Sequence, residues 1–159
     1  KNNKGWRLYS IKYGENFQKD TKKNFPTLFS ILKSCPEVIN CIVSVLEEKS
    51  KILIHNGPYK GVMRYMLPII VPKDKDNVYL CNNYEKYIWT EGVGVLWDDT
   101  YPHKVFNNTN ETRVVLFMDI ERNNLPKILK KLNKISINFI TKSKRLKNQL
   151  NKDERKIKI

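Results

Sequence analysis

Histidine and cysteine are scarce in this chain. Two histidines, His55 and His103, and three cysteines, Cys35, Cys41 and Cys81, are spread over 159 residues. The cysteine count is odd and no C-x-x-C occurs. Both facts argue against a disulfide framework and against a structural zinc site, which needs four Cys or His ligands. A reducing compartment is the expected setting. No apolar run approaches the ~18–20 residues of a membrane-spanning helix. Internal repeats are missing, and so are Gly/Ser- or Pro-rich linkers, at a length that suits one hydrophobic core. The chain opens on Lys1 rather than Met, which leaves open a segment upstream, a membrane anchor included.

Positive charge is plentiful and unevenly placed. The formal net charge is +14. Residues 126–159 hold twelve Lys or Arg against Asp153 and Glu154, whereas residues 1–125 hold eighteen against fourteen acids. The body is mildly basic and the surplus belongs to the C-terminal segment, so the chain divides at 125/126. In that segment Ile128, Leu132, Ile135 and Phe139 recur at i, i+4, i+7 and i+11, the spacing of one helical stripe. Leu146 and Leu150 extend the pattern. The expectation is a helix packed on, or trailing from, the domain, with its lysines in water. A sharper reading is contact with an anionic surface. No aromatic interleaving or base-reading motif supports nucleic acid as the partner.

Between these ends the texture is β. WRLYSIKY (6–13) reads as a strand, and TKKNFPTLFSILKSC (21–35) as a helix, with Pro26 tolerable in a first turn. CIVSVLE (41–47), KILIH (51–55), GVMRYMLPIIVP (61–72), NVYLCNN (77–83), KYIWTEG (86–92), VGVLWD (93–98), HKVFNN (103–108) and TRVVLFMDIE (112–121) are short β-rich runs. Polar clusters such as NGPYKG, PKDKDN, DDTYP and NNTNE interrupt them every 8–12 residues. That rhythm predicts a mainly β domain with flanking helices, of sandwich or barrel type, with a jelly roll as the natural candidate. Pro68 inside a strand run predicts an edge or a bulge. The two adjacent sequons in NNTNET read as a hairpin turn rather than glycan sites.

His55 ends an apolar strand just before the Asn-Gly-Pro turn, and His103 begins a later one. Non-haem iron oxygenases bind their metal with two His and a carboxylate on one face, leaving positions open. The carboxylate often lies two residues after the first His, where this chain has Gly57. Arg113 follows His103 by ten residues, and a guanidinium meets a carboxylate with two parallel hydrogen bonds.

HNGPYKGVMRYMLPIIVP and WTEGVGVLWDDTYPHKVFNNTNETRVVLFMDIER together resemble the aspartyl/asparaginyl β-hydroxylase family, which includes bacterial hydroxylases of lipid A acyl chains. The resemblance is close over residues 40–122. It implies a double-stranded β-helix (jelly roll) oxygenase domain over residues 1–125, carrying a basic helical C-terminal extension over 126–159. It also implies Fe(II) bound by His55 of H-x-G-P and His103 of D-D-x-x-x-H, with water completing the shell because this family has Gly at the carboxylate position. Ser44, Arg64 and Arg113 match its contacts to the co-substrate 2-oxoglutarate. The family's His of R-x-H-L is Met66 here, and a thioether offers a carboxylate no hydrogen bond. The implied activity is oxidative decarboxylation of 2-oxoglutarate by O2, coupled to hydroxylation of an unactivated C–H. Asp or Asn side chains of a protein come first as substrate and a lipid acyl chain second. Met66 motivates an alternative, a non-catalytic or altered-co-substrate module on the same fold. Asp98 and Asp99 read as a turn shaping the approach to His103. A bond from one of them to a ligand imidazole is the lesser reading, and Trp89, Trp97 and Tyr101 read as core or rim.

Overall fold

The computed structural model describes residues 5–82 and 85–142. Ten strands form two antiparallel sheets: β1 (Trp6–Tyr13), β2 (Asn16–Phe17), β3 (Val38–Leu46), β4 (Ser50–His55), β5 (Val62–Ile70), β6 (Val78–Asn82), β7 (Glu85–Ile88), β8 (Val95–Trp97), β9 (His103–Asn107) and β10 (Arg113–Glu121). One sheet has the order β2-β1-β3-β10-β5-β8 and the other β4-β9-β6-β7. This is the expected jelly roll. The helices are α1 (Thr21–Asn24), α2 (Pro26–Ser34) and α3 (Lys127–Lys142).

The larger sheet is covered on both faces, which explains why its strands read as near-continuous apolar runs. Alternation along β3 sends Ile42 and Leu46 inward, among Met66, Trp89, Val105, Val115 and Phe117. The same alternation sends Cys41 outward, against Ile11, Leu32 of α2 and Leu116. Among the described residues all three cysteines are free, and burial pushes the Cys41 thiol up to about 12. Pro68 sits at the predicted bulge, where the β5–β10 register slips between Val114 and Val115.

Three local expectations need correction. The helix foreseen over 21–35 is two. Phe25 leaves helical conformation at φ −135°, because Pro26 crowds the residue before it, and Pro26 then starts α2. NNTNET is no hairpin, since it carries the chain from β9 in one sheet to β10 in the other. Asn107 organises that crossing. Its fully buried amide donates to the carbonyls of Leu46, Glu47 and Glu111 at 3.1, 2.9 and 2.8 Å.

The third correction concerns α3. The stripe expected to face the domain faces water, with Ile128, Leu129, Leu132, Ile135 and Phe139 all exposed. The helix docks instead through Asn133 and Ile137, its buried positions. Asn133 accepts from the Tyr59 hydroxyl at 2.6 Å and donates to the Gly61 carbonyl at 2.9 Å. A Cβ at Gly61 would fall on the Asn133 side chain. Specific polar contacts, which periodicity does not register, outrank the apolar stripe in choosing the docked face. Leu146 and Leu150 lie outside the described residues. Among those residues no helix is long and apolar enough to cross a membrane.

Candidate metal centre

His55 and His103 are cross-strand partners on β4 and β9, next to an irregularity between Ile52 and His55. Such slips re-aim a side chain at the rim of a barrel. Here the slip brings the two imidazoles to 4.1 Å between ring centroids. His103 is buried, and Trp97 meets it edge-on at 4.7 Å. His55 is half-buried, with Trp6 at 6.2 Å.

Each ring uses Nδ1 in the same way. His55 Nδ1 lies 2.8 Å from the Leu53 carbonyl, and His103 Nδ1 lies 2.8 Å from the Tyr101 carbonyl. A carbonyl only accepts, so both Nδ1 atoms donate, and a neutral ring then carries its lone pair on Nε2. Burial pushes the His103 pKa down to about 4, against the raising effect of its bond to Tyr101. The ring is therefore neutral near pH 7. Main-chain carbonyls, rather than Asp98 or Asp99, orient the histidines.

Asp98 caps the turn as expected, accepting from the Thr100 amide and hydroxyl at 3.1 and 2.7 Å, and it pairs with Arg122 at 2.5 Å. Partial burial works against its charge, but these bonds together hold its carboxyl below the usual range. Asp99 is more than a turn residue. It is buried, and its carboxylate fills the space that a Cβ at Gly57 would occupy. The glycine at the usual carboxylate position is thus a steric requirement. Burial raises the Asp99 pKa, and the Arg64 guanidinium opposes that rise.

The four positions expected to bind co-substrate differ in what they have free. Arg64 is taken up: its Nε and Nη2 reach Asp119 Oδ1 at 3.0 and 2.8 Å, and its Nη1 pairs with Asp99 at 2.8 Å. Ser44 accepts from Trp6 Nε1 at 3.0 Å and keeps its own O–H to donate. Met66 is in the core, where its sulfur accepts from Trp97 Nε1 at 3.3 Å. Arg113 is fully buried with no hydrogen-bond partner on Nε, Nη1 or Nη2 among the described residues, and it stacks on Trp89 with Cζ 4.8 Å from the ring. Burial alone pushes its pKa down to about 9. Trp89 Nε1 is likewise buried and unpartnered.

An unpaired buried cation beside a second unpaired donor is a costly arrangement unless an anion completes it. A dicarboxylate reaching in from the histidines would do so, which makes these residues a fit for 2-oxoglutarate. Two imidazoles whose Nδ1 atoms are tied to main-chain carbonyls similarly fit a borderline divalent ion such as Fe(II) through Nε2. Among the described residues no group of three or more His, Cys, Asp or Glu side chains is arranged to hold a metal. A metal held at this place would therefore take its protein donors from the two histidines alone.

Residues 1–123 match the family model for aspartyl/asparaginyl β-hydroxylase. The chain belongs to the aspartyl/asparaginyl β-hydroxylase family. Among relatives, it is 34% identical over 97 residues to the ornithine lipid ester-linked acyl 2-hydroxylase of Rhizobium tropici, covering 61% of this chain and 34% of that protein. It is 22% identical over 120 residues to human aspartyl/asparaginyl β-hydroxylase, covering 72% of this chain and 16% of that one. The chain thus spans about a third and about a sixth of these β-hydroxylase-family relatives. In architecture it resembles the cupin domain of an XRE-family transcriptional regulator from Enterobacter cloacae, with TM-score 0.50 and 10% identity over 76% of this chain and all of that one. That likeness concerns the fold alone. Family membership makes a hydroxylase the coarse reading of this chain.

The residues that sequence reasoning missed are the partners. Trp6 holds Ser44, Asp119 and Asp99 hold Arg64, Trp97 backs both His103 and Met66, and Trp89 lies under Arg113. Each sits on another strand or loop, beyond the reach of a local motif.

Proposed function

We propose that this chain is an Fe(II)- and 2-oxoglutarate-dependent hydroxylase of an unactivated C–H bond. One observation carries the reading. Two imidazoles lie in contact with Nδ1 tied to main chain, and an unpaired guanidinium is buried in the same barrel. Nε2 of His55 and of His103 would hold the metal. Arg113 would anchor the far carboxylate of 2-oxoglutarate, with Ser44 and Trp89 Nε1 as further donors. When bound, the metal would activate O2, which is the oxidant for both the decarboxylation of 2-oxoglutarate to succinate and CO2 and the insertion of its other oxygen atom into the substrate C–H bond.

The chain's own residues bind, orient and exclude water. The Leu53 and Tyr101 carbonyls keep both rings in the tautomer that offers Nε2. Trp97 and the apolar wall around Met66 shield the buried histidine. Arg64 is neutralised by Asp99 and Asp119, so its part is to brace the loop before His103 against β5 and β10. A direct contact from Arg64 to co-substrate would require one carboxylate to let go. With Met66 committed to Trp97, the donors for the far carboxylate come from Arg113, Ser44 and Trp89. The non-catalytic alternative is not favoured, because the unpaired donors that a diacid needs are still in place.

Both expected substrate classes, Asp or Asn side chains and an acyl chain, are represented among the relatives. Similarity is higher to the hydroxylase named for a lipid acyl chain (34%) than to the one named for Asp and Asn (22%). We take a lipid acyl chain first and a protein Asp or Asn second.

Calorimetry of 2-oxoglutarate with metal-loaded protein tests the centre, and succinate formation tests turnover. A 16-dalton mass gain in a fatty-acyl lipid or in an Asp/Asn peptide separates the substrates. Absence of 2-oxoglutarate binding by the metal-loaded wild-type protein would refute the proposal. With two protein ligands rather than three, the metal should be stripped readily by a chelator.

A further inference from the structure

The exposed stripe on α3 is the largest feature that the candidate centre does not explain. Ile128 is 77% exposed and Phe139 80%, with Leu129, Leu132 and Ile135 each half exposed or more. At 100° per residue, Ile128, Leu132, Ile135 and Phe139 fall within an arc of roughly 60°, pointing about 150° away from the docked positions Asn133 and Ile137. Lys142 and Lys131 lie beside that arc, with Lys127 and then Lys134 farther round the same side and Lys130 near the docked face. No acidic residue occurs between Lys127 and Lys142. The helix therefore presents a hydrophobic ridge outward with ammonium groups along its flank.

From this we infer that α3 is an interfacial helix that docks the protein on an anionic lipid surface. An apolar face rimmed by lysines is the pattern of helices lying in the plane of a bilayer interface, where the ridge enters the headgroup–acyl boundary and the lysines meet lipid phosphates. Charge complementarity selects this occupant. A second copy of the chain would bring two lysine-flanked, acid-free ridges together, setting like charges opposite each other. An anionic surface neutralises the same groups. The docking stands apart from the iron chemistry, since neither histidine takes part in it.

The helix is also fastened to the centre. Asn133, on its inner face, holds Tyr59 and the Gly61 carbonyl, and both belong to the HNGPYKG loop that begins with His55. A surface that seats α3 seats that loop with it.

The test is co-sedimentation of the full chain with vesicles of mixed phosphatidylglycerol and phosphatidylcholine, and with phosphatidylcholine alone. Binding is expected to the anionic vesicles, weakening at least tenfold in high salt and much weaker on the neutral ones. Ile128→Ser with Leu132→Ser and Phe139→Ser should reduce binding at least tenfold with the thermal midpoint unchanged, because these side chains already face water. Phe139→Ser alone serves if the triple variant unfolds. Lys127→Gln with Lys131→Gln and Lys142→Gln should weaken anionic binding severalfold. The inference is overturned if wild-type protein ignores anionic vesicles, if it binds neutral ones equally, or if the serine variants bind as well as wild type. A stripe-dependent dimer in analytical ultracentrifugation would also overturn it, by showing that a second copy occupies the ridge.

Discussion

Two guanidiniums face the interior of the same sheet, and the protein treats them in opposite ways. Arg64, on β5, makes three short contacts to Asp119 and Asp99 and lies over the Phe117 ring at 4.5 Å. Arg113, on β10, is buried completely, rests on Trp89 and has no hydrogen-bond partner among the described residues. The first pair of carboxylates belongs to the fold. The missing carboxylate beside Arg113 is one that a ligand can bring. Two arginines that look equivalent in the motif thus divide into a brace and a candidate receptor. The division follows from what each can reach rather than from residue type.

The comparison can be broken most severely at the brace. Arg64→Met would strand Asp99 and Asp119 without their cation. Loss of one partner from a buried pair typically costs about 3–5 kcal/mol, so chemical denaturation should show destabilisation of that order. A change below ~1 kcal/mol would mean that the two carboxylates are not held by Arg64. Arg113→Met is the counterpart. It removes an unpaired buried charge, so stability should stay level or rise. Affinity for 2-oxoglutarate should fall on the order of a hundredfold, the equivalent of about 3 kcal/mol. Calorimetry and denaturation on the same variant read both quantities, and a loss of stability with unchanged affinity would reverse the two roles.

A third test uses pH on the metal-free protein. Burial pushes folded His103 down to about 4 from an ordinary 6.5. Between those values the unfolded chain binds the proton and the folded chain does not. Stability from this group is therefore full above about 6.5 and is lost as pH falls toward 4, by up to about 3 kcal/mol. Denaturation midpoints measured across that window should drop for wild type and flatten for His103→Asn. Parallel curves would show that the buried imidazole is not the group responsible. The smallest effect is expected at Met66. Met66→His adds one donor near the diacid site but gives up the bond from Trp97. It should tighten 2-oxoglutarate binding by about tenfold at most, the worth of one hydrogen bond. Unchanged affinity would place residue 66 outside the co-substrate's reach.

Much of this architecture is readable in the sequence because the strands are short, strongly apolar and separated by turn residues. Runs such as KILIH, HKVFNN and TRVVLFMDIE became β4, β9 and β10 within a residue or two. The two histidines and Arg113 stand out because a motif fixes their spacing. What escapes is interaction across large sequence separation. Ser44 is held by a tryptophan 38 residues earlier, and Arg64 by an aspartate 55 residues later. Hydrophobic periodicity also misjudged α3. It identifies an apolar face correctly but does not say whether the protein or something else covers it. There, two hydrogen bonds from Asn133 outranked five exposed apolar side chains.

The contact between Gly57 and Asp99 bears on how such a centre can evolve. In a three-ligand relative of this chemistry, residue 57 would carry the acid. Here any side chain at that position must first evict the carboxylate of Asp99, and eviction would unpair one arm of Arg64. A substitution at residue 57 therefore carries the cost of moving the Asp99 side chain. In the proposed two-histidine centre, the position of Asp99 would thereby help keep the remaining coordination sites open.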